Sequence, residues 1–457
     1  MHFPAEVIVR VLLLSANTSL EPHPVYPLGL DYVAGAISSS HKVRILDANL
    51  LDGEEGLRAD IQAFAPNAVG ISLRNIDSGT DLATKSFIER ARRLVKTVRS
   101  CCDASVILGG SGFSLYPFPL LEYLEADCGI VGEGERLADL LSALESGNPK
   151  PVLPGIVLRG QPPRHPAPWP GQPSRRLPGE NLHTSFYLGN GGILNLQTKR
   201  GCLFRCIYCV YPLLEGENLR LFPPEEVGRT ARSLQDSGAR YLYVTDSVFN
   251  AHEEHSLAVA GSLRDAGISV PWGGFFTPRV SRPDYFSRMA ECGLTHVEFG
   301  TESLSGHMLR TYGKPFGPED VFDAHRKAQE AGLFVSHYFL LGGPGETGET
   351  VMETLKRIEK LPRSVFFFSC GIRVHPETRI HSMALREGSI APNEDLMQPV
   401  FYTPRGISLA GINEMLETFA GGRGNWVIPR NEERLARVTR RLYAMGHTGV
   451  LWDRLIG

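Results

Sequence analysis

Short apolar runs alternate with longer stretches whose apolar residues recur at helical spacing, from about residue 9 to residue 390. In the first third the runs are VRVLLLSA (Val9 to Ala16), KVRILDA (Lys42 to Ala48), NAVGISL (Asn67 to Leu73), SVILGG (Ser105 to Gly110) and DCGIVGEGE (Asp127 to Glu135). Each is too short for an ordinary helix and ends in glycine or polar residues, so each reads as a buried strand. Helical stretches such as GLDYVAGAISSS and DLATKSFIERARRLVKTVR separate them. The alternation predicts an α/β fold: a doubly wound, Rossmann-like parallel sheet over residues 1–146, binding ligands at the carboxyl ends of its strands.

A second series begins at Gly192, with ILNLQT (Ile193 to Thr198), YLYVTD (Tyr241 to Asp246), VPWGGFF (Val270 to Phe276), HVEFGTE (His296 to Glu302), VSHYFLLGG (Val335 to Gly343) and VFFFSCGIRV (Val365 to Val374). Six such units predict a partial (β/α)6 barrel over 191–390, with its reactive centre at the C-terminal ends of the strands. Between the two series, 147–190 shifts to proline, glycine and arginine in the run RGQPPRHPAPWPGQPSRRLPGE. It reads as an extended linker whose arginines are solvated or mark a contact surface. Over 391–457 the pattern gives way to a small, mostly helical region with a basic helix, ERLARVTRRLYAMG, and a tail containing Trp452. This region is expected to lie near the substrate or to cap the barrel.

Composition narrows the class. The chain has 457 residues, 42% hydrophobic and 21% charged, with a formal net charge of -3. That balance gives no electrostatic reason to expect nucleic acid or an anionic membrane as a partner. No apolar run is long enough to span a bilayer and no secretory signal pattern opens the chain, so a cytoplasmic location is expected. In that reducing setting the eight cysteines should be thiols unless a metal claims them. Cys101, Cys102, Cys128, Cys292 and Cys370 are scattered among apolar or small residues and read as small buried hydrophobes.

The other three form a pattern. TKRGCLFRCIYCVYP places Cys202, Cys206 and Cys209 in a CxxxCxxC arrangement just after the first strand of the second series. Three thiolates so spaced can wrap one face of a cubane cluster, leaving a fourth iron open to chelate an amino and a carboxylate group. A structural zinc site would need a second pair of ligands, and none lies nearby. With the aromatic Tyr208 before its last cysteine, this segment resembles the cluster motif of radical S-adenosylmethionine (SAM) enzymes. The resemblance implies a [4Fe-4S] cluster that passes one electron to bound SAM, releasing a 5′-deoxyadenosyl radical that abstracts a substrate hydrogen. It implies further SAM contacts along the barrel: Asp246 and Ser247 after the second strand, where the family's Gly-Gly-Glu is absent, and Glu302 and Ser303 after the fourth. Gly342, Gly343 and Gly345 in LLGGPGET would let backbone approach adenine. Arg279 and Lys314 are candidate partners of the SAM carboxylate, and each also reads as a surface charge.

The first domain resembles the cobalamin-binding domain that precedes many radical SAM barrels. The matching pieces are PLGLDYVAGAI, GISLRN, ILGGSGFS and GIVGEGE. A corrin over the carboxyl edge of a parallel sheet needs small residues beneath it, and Gly109, Gly110, Gly112, Gly132 and Gly134 meet that need, with Leu73 and Glu133 beside them. They also suit ordinary turns. The Asp-x-His-x-x-Gly motif is absent from the first loop, where His23 stands alone, so no histidine is expected beneath the cobalt. Arg74 or Asn75 would approach that face instead. A methylthiotransferase would bind a second cluster here, but Cys101, Cys102 and Cys128 are poorly spaced for one.

Cobalamin joined to radical SAM chemistry implies a C-methyltransferase acting on an unactivated carbon of a small molecule, one SAM methylating the cobalt and another generating the substrate radical. A non-methylating rearrangement or cyclisation is the alternative, and a non-enzymatic iron-sulfur or corrinoid carrier a third. The resemblance also implies an electron donor such as flavodoxin or ferredoxin. Candidate substrate residues are the polar groups on the last barrel strands, His337 and Tyr338, and Arg373 and His375. Of the adjacent pair His337 and Tyr338 only one can face inward.

Overall fold

The computed structural model describes residues 8–79, 84–148, 150–161, 168–176 and 182–456. The chain divides into two compact units, one of Met1–Ser19, Tyr26–Ser78 and Lys85–Phe186, the other of Leu20–Val25, Gly79–Thr84 and Tyr187–Gly457.

The first unit is built on β1 (Arg10–Ser15), β2 (Lys42–Asp47), β3 (Ala68–Ser72), β4 (Ser105–Gly109), β5 (Cys128–Ile130) and β6 (Ile156–Leu158). Their order is β2-β1-β3-β4-β5-β6, parallel except for the antiparallel β6. Strand order reverses between β1 and β3, so a crevice for ligands opens at their carboxyl ends. The core is aliphatic: Val11 and Leu13 of β1 pack with Leu30, Ala34 and Ile37 of helix Leu28–Ile37 and Leu140, Leu141 and Leu144 of helix Leu137–Glu145. The helix expected from Asp81 begins at Ile88, and residues 80–83 lie outside the described ones.

The expected linker needs correction. It contains β6, and Arg175, read as solvated or at a contact surface, is buried in an ion pair with Asp31 at 3.0 Å, their side chains 4% and 0% exposed. Tyr26 donates to the other Asp31 oxygen at 3.1 Å and meets His183 Nε2 at 3.0 Å. Ser174 O sits 2.0 Å from where a Cβ on Gly35 would stand. Residues 168–176 are therefore strapped to helix Leu28–Ile37, while 162–167 and 177–181 lie outside the described residues.

The second unit adds β7 (Ile193–Leu196), the pair β8 (Lys199–Arg200) and β9 (Arg220–Leu221), then β10 (Tyr241–Val244), β11 (Trp272–Phe276), β12 (Leu294–Glu302), β13 (Phe334–Leu341), β14 (Ser364–Cys370), the pair β15 (Ile372–Arg373) and β16 (Phe401–Tyr402), and β17 (Trp426–Val427). The main sheet runs β17-β14-β13-β12-β11-β10-β7, all parallel. The six expected strands are present, and β17, from the region expected to be mostly helical, is a seventh. β7 and β17 are the two edges, yet Ile193 and Val427 share one apolar cluster, which requires the sheet to roll into an open barrel. Val450 and Trp452 join that cluster, so the tail fills the space between the edges.

Alternation along each strand separates the two faces. Phe339, Phe366, Phe368 and Trp426 point outward into a second cluster with Val351, Leu355 and Ile412 of the surrounding helices. Among the described residues no helix is long and apolar enough to cross a membrane.

Candidate functional site

The loop after β7 carries the three cysteines, and the pair β8 and β9 closes its base. Gly201 opens it at φ +89°, with the space a Cβ would need taken by Asn218 O at 2.0 Å, so only glycine fits. The Gly201 N–H donates to Glu215 at 3.0 Å, Cys202 N–H to Gly216 O at 3.1 Å, and Ile207 N–H to Tyr312 O at 3.1 Å. Cys202 is buried, and Cys206 and Cys209 half-buried. Burial pushes the Cys206 thiol up, Lys314 partly opposing it, and pushes Cys209 up to about 12.

A charged group closes on this loop from the barrel. Glu302, last residue of β12, has φ +60°, a left-handed conformation costly for a side chain with a Cβ, and the β12–β13 register shifts just before it. Its Oε1 accepts from Tyr208 at 2.7 Å and from Lys314 Nζ at 2.9 Å. Lys314 Nζ lies 5.4 Å from the centre of the Tyr208 ring. Burial pulls the Lys314 ammonium down, but Glu302, Cys206 and Cys209 outweigh it and the net direction is up. Tyr208, Glu302 and Lys314 thus come together beside the cysteines. Arg279, the other candidate cation, is exposed beyond β11.

Several expected contacts have other work. Asp246 is 3% exposed and both its oxygens are taken by Thr198, the backbone N–H at 2.9 Å and the hydroxyl at 2.5 Å. It holds the chain leaving β7 rather than presenting a free carboxylate, and burial pushes its pKa up. Ser247 accepts from Lys199 Nζ at 3.5 Å and donates to Gly201 O at 3.4 Å. Ser303 is fully buried and bonded to Thr354 at 2.9 Å, which removes it from the ligand face. A Cβ on Gly342 would meet Leu409, on Gly343 the Tyr312 ring, and on Gly345 His307. These glycines are required by packing of the turn on its own protein.

Among the substrate candidates, Tyr338 faces inward and His337 outward. His337 Nδ1 meets Thr301 Oγ1 at 2.8 Å and its Nε2 meets His325 of helix Pro318–Glu330 at 3.1 Å; burial drives its pKa well down, so it is a neutral packing residue. Arg373 donates to the carbonyls of Val374 and Leu396 at 2.8 Å, stapling the C-terminal region, which corrects its reading as a substrate residue. His375 is half-buried beyond β15. Lys199, Glu215 and Glu298 were not anticipated. Lys199 and Glu215 were legible as charges flanking the cysteine loop, and Glu298 as a carboxylate in an otherwise apolar strand.

In the first unit the expected corrin glycines fall into two kinds. A Cβ on Gly110, whose φ is +95°, would stand 2.6 Å from Leu73 O, and one on Gly112 would stand 3.0 Å from it. The Gly112 N–H donates to that same carbonyl at 2.9 Å. Their smallness therefore serves the approach of the β4 loop to backbone 73–75, and Leu73 is buried. Gly134 faces Val33, and Glu133 accepts the Trp169 N–H at 2.5 Å. Gly109 is open, its Cβ position 3.9 Å from Ile130 O. The Gly132 N–H donates to Ser114 at 2.9 Å. Arg74 and Asn75 are exposed at the carboxyl end of β3.

These residues fit the implied groups. Among the described residues no three His, Cys, Asp or Glu converge on a single metal ion. A cubane asks something else, one thiolate on each of three irons. Burial pushes the Cys206 and Cys209 thiols up, and a bound cluster would supply the positive charge that their thiolates need. An exposed loop after β3, beside the switch point, and an open glycine at the end of the neighbouring β4 suit a large planar ligand.

A parallel sheet with its ligand edge at β1/β3, followed by an open barrel with three cysteines after its first strand, defines a class, and comparison with known proteins shows it. Residues 21–141 match the B12 binding domain and residues 196–358 the radical SAM superfamily. The chain carries a B12-binding domain and then a radical SAM domain. It is 27% identical over 438 residues to tryptophan 2-C-methyltransferase of Streptomyces laurentii, spanning 80% of this chain and 73% of that protein. It is 26% identical over 376 residues to an uncharacterized methyltransferase of Pyrococcus horikoshii, spanning 79% and 78%. The fold matches the radical SAM methyltransferase TsrM from Kitasatospora setae, solved with tryptophan and a SAM analogue, with TM-score 0.86 and 22% identity over 98% of this chain and 97% of that one.

Proposed function

We propose that this protein is a cobalamin-dependent radical SAM C-methyltransferase acting on an unactivated carbon of a small molecule. The observation that carries it is the joining of the CxxxCxxC loop to the half-buried Tyr208–Glu302–Lys314 group, in a chain that has both cofactor domains. Bound together, the cluster, SAM and cobalamin supply radical generation and methyl transfer. The chain's own residues position them. Cys202, Cys206 and Cys209 hold the cluster. Lys314 offers a half-buried cation to the SAM carboxylate, Glu302 an acceptor to its ribose, and the turn Gly342–Gly345 a backbone edge to adenine. Asp246 acts behind them by fixing Thr198 and, through it, the cysteine loop. Leu73, Arg74, Asn75, Gly109 and Glu133 would border the corrin, with Arg74 or Asn75 the residue that would approach its cobalt. A flavodoxin or ferredoxin supplies the electron, in a cytoplasm that keeps the thiols reduced.

The test is anaerobic reconstitution with iron, sulfide and hydroxocobalamin, then incubation with methyl-labelled SAM and small-molecule candidates, L-tryptophan first because the Streptomyces relative is named for it. Label in a carbon-methylated product, together with S-adenosylhomocysteine and 5′-deoxyadenosine, is expected. Deoxyadenosine with a rearranged, unlabelled product would replace this reading by the non-methylating one. Failure to retain corrinoid would remove it.

A further inference from the structure

The inner face of the barrel changes character half-way along its strands. Toward the amino ends it is closed, Ile193, Tyr241, Val365 and Val427 packing against Val450 and Trp452 of the tail. Toward the carboxyl ends the inward side chains Phe275, Tyr338, Leu340 and Phe367 are half-buried and Ser369 is exposed, while their outward neighbours Phe276, Phe339, Leu341 and Phe368 are buried. The boundary is a layer of rings. Tyr338 stacks on Phe367 with centroids 4.6 Å apart and planes 9° apart, Phe275 meets Tyr338 edge-on at 5.2 Å, and Tyr243 meets Phe275 edge-on at 6.1 Å.

Beneath this layer lies one carboxyl group. Glu298 of β12 is 3% exposed. Its Oε2 accepts from Tyr243 at 3.0 Å and Tyr338 at 2.9 Å, and its Oε1 accepts the Trp452 indole N–H at 3.0 Å. Three neutral donors from β10, β13 and the tail thus converge on a buried acid. The other titratable groups facing it are Tyr241 and His296, the latter paired with Asp453 at 3.7 Å. Burial pushes the Glu298 pKa up, the three donors opposing it. Removing an acceptor shared by three buried donors leaves each unsatisfied, so a group of this kind persists for what it orients. Here it draws both tyrosine hydroxyls down. Ring surface is left facing the open half of the barrel, with the His23 ring tilted against Tyr243 at 6.1 Å.

We propose that this ring layer is the floor of the substrate site, that it takes a planar aromatic ring, and that Glu298 is its positioning residue, orienting Tyr243 and Tyr338 and anchoring Trp452 below them. The word substrate rests on the methyltransferase reading; the ring-binding floor does not. Flat rings gain from offset or edge-on contact with aromatic side chains beyond the area they bury, and a puckered ring of the same size does not.

The probes are benzyl alcohol and cyclohexylmethanol, a neutral pair with the same carbon skeleton, one ring flat and aromatic and the other puckered and saturated, titrated by ligand-observed NMR into the reconstituted full-length protein. Benzyl alcohol is expected to bind about fivefold tighter. The preference should vanish in Glu298→Leu and survive in Glu298→Gln, whose amide oxygen can accept from Trp452 while its NH2 donates to the two tyrosine oxygens. Phe367→Leu removes the stacked ring with Glu298 intact and should also abolish the preference, which keeps the floor testable if Glu298→Leu does not fold by near-UV circular dichroism. Equal binding of the two alcohols to the wild-type protein, or binding of neither, overturns the floor. Full preference in folded Glu298→Leu, or its loss in Glu298→Gln, overturns the positioning role. Binding needs no turnover, so a ring preference without methyl transfer would sink the methyltransferase reading alone, and methyl transfer without a ring preference would sink this inference alone.

Discussion

The ligand edges of the two units are both carboxyl ends of parallel strands, yet they are built from different materials. In the first unit backbone packs on backbone: the β4 loop lies against residues 73–75, with Gly110 and Gly112 at the contact. In the second, buried charged side chains do the joining, with Lys314 on Glu302 and Asp246 on Thr198. The lesson is that one edge fails through volume and the other through charge. The first binds its loops by excluding atoms, the second by pairing atoms that are costly to bury alone.

The comparison can be broken most sharply at Lys314. Lys314→Met should leave Glu302 buried without its cation and lower stability by about 3 kcal/mol. Urea unfolding of the cofactor-free chain measures it, and Glu302→Gln in the same chain should restore part of the loss.

Charge is not confined to the second unit, and pH sharpens the contrast. Asp31 is pushed by burial from 3.8 up to about 6, and His183 by burial from 6.5 down to about 4. A raised carboxyl stabilises the fold below its unfolded pKa, and that contribution is lost as pH rises through the folded value near 6. A lowered imidazole does the reverse, costing stability as pH falls from 6.5 toward 4. The two slopes oppose each other between pH 4 and 6. Asp31→Asn should therefore make stability rise more steeply with pH over that window, by on the order of 3 kcal/mol in all. An unchanged slope would show that Asp31 does not titrate there.

A Cβ at Gly110 tests the first edge directly. Gly110→Ala meets both a φ of +95° and Leu73 O at 2.6 Å, and should cost about 2 kcal/mol in urea unfolding. Retained cobalamin per chain should fall with it. The smallest effect is expected at Arg205 and Glu217, a pair 3.2 Å apart with side chains 74% and 62% exposed on the cysteine loop itself. Arg205→Ala should change stability by no more than about 0.5 kcal/mol, because solvent already screens the pair.

Much of this was legible along the chain. The strands of the second unit were readable because long apolar runs with glycine ends leave little choice of element. β17 was not, since two residues, Trp426 and Val427, carry no period. β6 was hidden in a proline-rich stretch whose composition spoke for a linker, and Arg175 was read as solvated because its partner Asp31 is 144 residues away. Asp246 and Ser303 were read as ligand contacts from the resemblance to radical SAM enzymes, but their partners Thr198 and Thr354 are brought to them only by folding.

Sequence alone determined the cofactor class, since the spacing of Cys202, Cys206 and Cys209 is local and a cluster's demands are local too. It also determined the order of the two domains. Only the tertiary structure decided which charges are free and which are spent. It paired Lys314 with Glu302 and left Arg279 exposed, turned Tyr338 inward and His337 outward, and set Glu298 beneath a layer of rings. Those choices depend on which faces meet when a sheet rolls, and one residue's shift along a strand reverses the face while leaving composition unchanged.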